Sequence, residues 1–309
     1  MRLGNMSQYI YKLLFFKSIM LFAGLAITLQ AGAQQKPDVP FVPTPYVVIE
    51  EMLRLARVTA QDFVMDLGSG DGRVLITAAQ KFGARGLGVD LDADLVAESL
   101  ESAAQAGVAD RVQFLQQDLF LTDLRQATVI TMYLLPGVMM RLRPALLGLK
   151  PGTRLVSHDF RLEDWRPDVT TQIRKNTFLW IVPAPVAGTW QARIALPGGE
   201  QVVQLELRQK FQEVDGYARV DGRQVQIWEW QLSGDRLSFV MVDDRDRENE
   251  TSLYFEGRVS GEVMEGRFRR GVGNGQSTHD WRAVRINTGQ MNVRAGTTYS
   301  VAGSLIKEL

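Results

Sequence analysis

Asp66-Leu67-Gly68-Ser69-Gly70-Asp71-Gly72-Arg73 sets three glycines and two carboxylates between the apolar run Phe63–Met65 and the segment Val74–Ala79. A strand, a Gly-rich turn and a helix form a nucleotide-binding unit. The turn brings backbone close to a ligand, and the helix start offers N–H groups with no intrahelical partner. The order is G-x-G-x-G, with Arg73 standing where a dinucleotide-binding turn would have its last glycine. A pyrophosphate sits best on bare N–H groups, and Asp66 and Asp71 would repel it. A cationic sulfonium carrying an amino group suits these acids better, so the spacing favours S-adenosylmethionine over NAD. Asp66, Gly68, Ser69, Gly70, Asp71 and Gly72 are the first candidate cofactor-binding residues.

Two further acids follow in phase. Gly86-Leu87-Gly88-Val89-Asp90 reads as a buried strand ending in a carboxylate a little over twenty residues after Gly68, where an acid takes both ribose hydroxyls. Arg111–Phe120 alternates into a third strand ending on Asp118, placed to accept from an adenine amino group with Leu119 or Phe120 against the ring. Three acids at successive strand ends point to a nucleoside-type ligand. The β-branched run Ala127–Tyr133 ends on an aromatic, and Arg154–Asp159 ends on His158-Asp159. Methyl transfer is an in-line displacement, so the protein must mainly align the nucleophile and strip its water. Tyr133 suits a pocket wall. His158 and Asp159 suit a base and its orienter, although a lone histidine at a strand end is more often structural.

These residues need a particular set of elements. Thr44-Pro45 reads as an N-cap and first helical position, with Val48, Met52 and Leu55 on one helix face. Ala93–Ala106 places Val96, Leu100 and Ala103 on one side, Val138–Leu149 reads as a helix, and Thr177–Val182 as a last apolar strand. Alternating strands and helices predict a mostly parallel sheet with ligands at the strands' carboxyl ends. From Pro185 the period changes to about eight short alternating runs between Trp190 and Ile286, separated by turn pairs such as Asp221-Gly222 and Ser233-Gly234. They predict an antiparallel barrel or sandwich. Trp228 and Trp230 either line a ligand cavity there or fill an ordinary core, the commoner outcome.

The motifs Asp66–Arg73, Asp90 and Asp118 resemble motifs I, II and III of class I S-adenosylmethionine-dependent methyltransferases. Phe41-Val42-Pro43-Thr44-Pro45, Tyr133-Leu134-Leu135-Pro136 and Ser157-His158-Asp159-Phe160 narrow the likeness. Together they are similar to a group of bacterial enzymes and mitochondrial protein-lysine methyltransferases acting on membrane proteins. The resemblance spans about residues 40–183. It implies a Rossmann-like α/β domain with S-adenosylmethionine as cofactor and a lysine-bearing protein as substrate. It also implies that Phe41–Thr44 closes over the cofactor. Tyr133-Leu134-Leu135-Pro136 stands where many base-modifying amino-methyltransferases have Asn-Pro-Pro-Tyr, which argues against adenine in DNA. Gly188-x-Trp190 is reminiscent of lipocalin-like barrels.

Charge balances at 35 against 35 with no basic tract, so nucleic acid is not an expected partner. The chain has no cysteine and two histidines, His158 and His279, which rules out thiol chemistry and makes no metal site the expectation. Residues 1–35 read as an export signal or N-terminal anchor. Arg2, Lys12 and Lys17 precede the apolar run Ser18–Leu29, and Ala31-Gly32-Ala33 offers a small-x-small cleavage site. The body of the protein is therefore expected in the periplasm or on the outer face of the inner membrane, although the cofactor is made in the cytosol. The expected organisation is signal 1–35, methyltransferase domain 36–184, β-domain 185–287 and a loose tail 288–309. The competing reading is an exported binding protein that uses the α/β fold for a nucleoside or the barrel for a small apolar ligand.

Overall fold

The computed structural model describes residues 41–172, 176–196, 199–243, 251–271, 276–294 and 297–299. The export signal expected over 1–35 lies outside them.

The first layer consists of α1 (Tyr46–Leu55), β1 (Phe63–Leu67), α2 (Arg73–Phe82), β2 (Arg85–Asp90), α3 (Ala93–Gln105), β3 (Val112–Gln116), β4 (Val129–Met132), α4 (Pro136–Leu147), β5 (Arg154–His158), β6 (Val169–Gln172) and β7 (Asn176–Ile181). The strands form one sheet in the order β3-β2-β1-β4-β5-β7-β6. β3, β2, β1, β4 and β5 run parallel, and β7 is antiparallel to both β5 and β6. Strand alternation divides the core. Val64, Val129 and Val156 pack with α1, α2 and α3 on one face, while Met65, Leu67, Ile130, Met132 and Leu155 pack with α4 on the other. Both faces are covered, as a parallel sheet requires.

Three local expectations change. The N-cap of α1 is Pro45, whose carbonyl accepts from Val48 and Ile49, and Thr44 is buried elsewhere. On α3 the buried positions are Val96, Ser99 and Ala103, while Leu100 is 50% exposed. The helix turns its small residues to the sheet because the Ser99 hydroxyl donates to Gly70 O at 2.7 Å. The short, mostly exposed strand β6 carried no apolar signal.

The second layer is β8 (Gly188–Leu196), β9 (Gly199–Lys210), β10 (Glu213–Val220), β11 (Arg223–Ser233), β12 (Arg236–Asp243), β13 (Thr251–Ser260), β14 (Val263–Arg270) and β15 (Ser277–Thr288). Each is antiparallel to the next, and β15 pairs with β8, so the sheet closes into an up-and-down barrel. Side chains fill its interior. Phe239, Phe255 and Phe268 occupy one cross-strand row with centroids 4.6 and 5.0 Å apart, and Trp281 meets Phe239 and Phe255 edge-on. Gly257 makes room for that indole, since a Cβ there would lie 2.8 Å from Trp281. At the barrel's start Trp190 is fully buried, with the Arg285 guanidinium 4.0 Å over its ring.

Trp228 and Trp230 part company. Alternation places residues two apart on one face, but a bulge lies between Trp228 and Gln231, and Glu229 sits there at φ +53°. Trp228 therefore points out, 57% exposed, and Trp230 packs inward 4.8 Å from Phe239. With the interior packed, a ligand-carrying barrel is not favoured.

Within the stretch 288–309 expected to be loose, β16 (Met291–Arg294) and β17 (Thr297–Tyr299) pair with each other and β16 runs beside β9 at Gln209, while 300–309 lies outside the described residues. Met291 anchors them by entering the α/β core, 4% exposed. One buried residue leaves no periodicity for the sequence to display.

Candidate functional site

Sheet order lines up the candidate residues along one edge. Asp118 follows β3, Asp90 ends β2, Asp66 and the Gly-rich loop end β1, Tyr133 follows β4, and His158 ends β5. β1 lies between β2 and β4, the reversal point at which α/β sheets open a ligand crevice. Five neighbouring strands at about 4.8 Å spacing span roughly 19 Å, a length suited to an extended nucleoside with a reacting group at one end.

Gly68, Gly70 and Gly72 all have left-handed φ, at +76°, +55° and +79°. Gly68 N and Ser69 N both donate to Val89 O, and Gly72 N donates to Ser69 O, which folds the loop back on β2. Gly70 N donates to Asp90 Oδ2 at 2.9 Å, and Asp92 N donates to Asp90 Oδ1 at 3.0 Å. The Asp90 carboxylate is thus aimed along the loop by two backbone donors. The Phe41 ring lies directly against Gly70, since a Cβ there would stand 2.2 Å from Phe41 Cε2. The segment before α1 therefore covers the loop.

Asp66 is buried, and Thr131 on the neighbouring strand donates to its Oδ1 at 2.6 Å. Burial, only partly offset by that hydrogen bond and reinforced by the nearby Asp90 and Asp71 charges, pushes its pKa up to about 7. Asp71 is committed differently. Its carboxylate pairs with Arg73, which also donates to Thr44 O and lies 5.2 Å over the Tyr46 ring. The sequence placed Asp71 with the cofactor's cation, whereas in the structure its charge serves Arg73 and the covering segment. Ser69 Oγ is buried with no hydrogen-bond partner among the described residues. Asp118 caps the single turn Leu119–Leu121 by accepting from Phe120 N at 2.8 Å, and Leu119 packs into the α4-side core.

At the other end the Tyr133 ring lies 4.2 Å from the His158 ring, tilted by 33°, and stacks with Phe160 at 6.0 Å. His158 is 1% exposed, and its Nδ1 lies 3.3 Å from Thr44 Oγ1. Asp159 holds a left-handed φ of +68°, its N–H donating to Asn176 O. That non-glycine strain at the strand end swings the chain away from the sheet. Thr131 joins the site without having been singled out, and Thr44, read from the sequence as a helix cap, joins it through His158. Thr131 looks like any β-branched strand residue, and the Thr44 contact spans 114 positions.

The donor set fits a cationic nucleoside. Carboxylates Asp66, Asp90 and Asp118 line the edge, and the cation beside the loop, Arg73, is already neutralised by Asp71. The same set would repel a pyrophosphate.

The chain is similar to known methyltransferases. The family described as "ANTKMT methyltransferase domain" matches residues 66–169. A protein-lysine N-methyltransferase of Saccharolobus islandicus is 44% identical over 133 residues, 42% of this chain and 83% of that one. The adenine nucleotide translocase lysine N-methyltransferase of Mus musculus is 34% identical over 146 residues, 46% of this chain and 63% of its own length. A solved structure described as an RNA methyltransferase from Salinibacter ruber with S-adenosyl-L-homocysteine is 49% identical. It covers 47% of this chain and 96% of that one, with a TM-score of 0.46.

Proposed function

The chain belongs to the S-adenosylmethionine-dependent methyltransferase family that includes the Saccharolobus protein-lysine enzyme, and we propose that it methylates the side-chain amine of a protein lysine. The observation carrying this reading is the aromatic wall of Tyr133, His158 and Phe160 at the strand ends next to the acid-lined loop. In this proposal Asp66, Gly68, Ser69, Gly70 and Gly72 hold the methionine portion, Asp90 the ribose, and Asp118 with Leu119 the adenine. S-adenosylmethionine supplies a methyl group on a sulfonium. The amine's lone pair forms the new N–C bond as the C–S bond breaks, its electrons staying on sulfur, and the product ammonium gives up a proton. A lysine lying against Tyr133 and Phe160 loses hydration, which favours the neutral amine needed for attack. In this proposal His158, next to Tyr133, is the base that takes the proton.

Apolar side chains exposed on the segments before α1 and after β3 and β4, among them Phe41, Val42, Leu121 and Leu135, suit a membrane-associated protein as substrate. Incubating the full chain with methyl-labelled S-adenosylmethionine and separated membrane protein, soluble protein and RNA fractions tests the reading. Hydrolysates of the membrane fraction should carry label in methyl-lysine. Label confined to ribonucleosides would overturn the proposal, and label confined to soluble protein would move the substrate off the membrane.

Export is proposed on the sequence of residues 1–35 alone. Fused to alkaline phosphatase in a Gram-negative host, that segment should give periplasmic activity, and an inactive cytosolic fusion would refute it.

A further inference from the structure

The turn between β9 and β10 belongs by sequence to the barrel, yet its side chains are built into the methyltransferase layer. Phe211 is 2% exposed within the α4-side core and lies flat on Trp165, with centroids 5.4 Å apart and planes 7° apart. Gln212 accepts from Trp165 Nε1 at 3.0 Å and donates to Arg166 O at 2.7 Å. Lys210 stands 3.5 Å from Asp164, which also pairs with the buried Arg143. Trp165, Arg166 and Asp164 lie on one connection, residues 159–168, which leaves the sheet at His158 and carries Phe160 of the aromatic wall, while Arg143 reaches both Asp164 and the Phe211 ring from α4. The connection is also tied to its own layer, by Trp180 Nε1 to Trp165 O, Ser157 Oγ to Phe160 O, Arg143 Nη1 to Leu162 O, Asp159 N to Asn176 O and Asp168 N to Leu179 O. Phe211 holds φ at +53°, a left-handed conformation that a bulky residue seldom adopts, because its ring must leave its own barrel to reach Trp165.

We infer that Phe211 and Gln212 are positioning residues for methyl transfer: the barrel turn clamps the 159–168 connection and thereby fixes Phe160, Tyr133 and His158 against the nucleophile. The inference rests on the methyl-transfer reading. It gives the second layer a role in turnover that is separate from cofactor binding, since Asp66, Asp90 and the Gly-rich loop lie on other strands.

The test compares the full chain with Phe211→Ala, Phe211→Leu and Gln212→Ala, reading amide hydrogen exchange over 160–166, cofactor affinity, kcat and KM. Exchange should accelerate in both alanine variants as the clamp opens. Cofactor affinity should stay within about threefold, and kcat should fall about tenfold in Phe211→Ala, as expected when reacting groups lose alignment. Phe211→Leu should recover part of the loss. Unchanged exchange, unchanged kcat, or a joint collapse of cofactor binding and kcat would each overturn the inference. If Phe211→Ala fails to fold, Gln212→Ala and Phe211→Leu decide by the same criteria. If the unaltered protein methylates no lysine, the functional reading fails, and the exchange measurement still decides whether the turn holds the connection.

Discussion

Asp90→Ala should weaken S-adenosylmethionine binding by about 30- to 1,000-fold, or about 2–4 kcal/mol, the scale of charge-assisted hydrogen bonds to two hydroxyls. Gly70 N and Asp92 N hold the carboxylate from behind, so in the intact protein its remaining lone pairs are oriented before the ligand arrives. The variant also releases Gly70 N, the donor beneath the Phe41 ring, so some of the loss comes from a loosened loop. Asp90→Asn, which keeps an acceptor oxygen but has no charge, should fall between the two. Titration calorimetry on the full chain measures all three. Equal affinity in the intact protein and Asp90→Ala would remove Asp90 from the cofactor site.

Cofactor affinity should also depend on pH, becoming about tenfold tighter from pH 6 to pH 8 as Asp66 loses its proton. With a pKa near 7, Asp66 is largely protonated at pH 6. A cation bound beside it favours the carboxylate, so binding below pH 7 must expel a proton, and the apparent dissociation constant falls with rising pH until Asp66 is already ionised. The sign for folding is opposite. Because the folded-state value lies above the ordinary 3.8, the unfolded chain releases its proton first, and the stability contributed by this group is lost as pH rises from about 4 to 7. Calorimetry in buffers of different ionisation enthalpy should register proton release at pH 6.5. Asp66→Asn should bind more weakly and lose the pH dependence between 6 and 8. A profile as steep in Asp66→Asn as in the intact protein would assign the titration to another group.

The cofactor end was legible because its chemistry is local. A G-x-G-x-G turn can only be made where glycines tolerate three closely spaced left-handed positions, and the acids at Asp90 and Asp118 follow at the intervals of a strand–helix–strand repeat. The barrel's eight strands were legible for the same reason, since period-two alternation is written along each strand. Strand pairing between β15 and β8, which separates a barrel from a sandwich, is not written there.

Three features show what required the folded chain. Glu229 takes up a bulge that sends Trp228 and Trp230 to opposite faces, and no local residue type announces it. Thr44 looks like a helix cap but spends its hydroxyl on His158, because α1 and β5 pack together far apart in sequence. Phe211 lies in the turn after barrel strand β9 but completes the core beneath the reaction-site connection. By itself, then, the sequence determined the cofactor's class and the loop and strand-end acids that carry that reading, because backbone conformation and charge spacing act over a few residues. Only the tertiary structure decided what surrounds the nucleophile, because that environment is assembled from segments whose contacts depend on packing rather than on spacing.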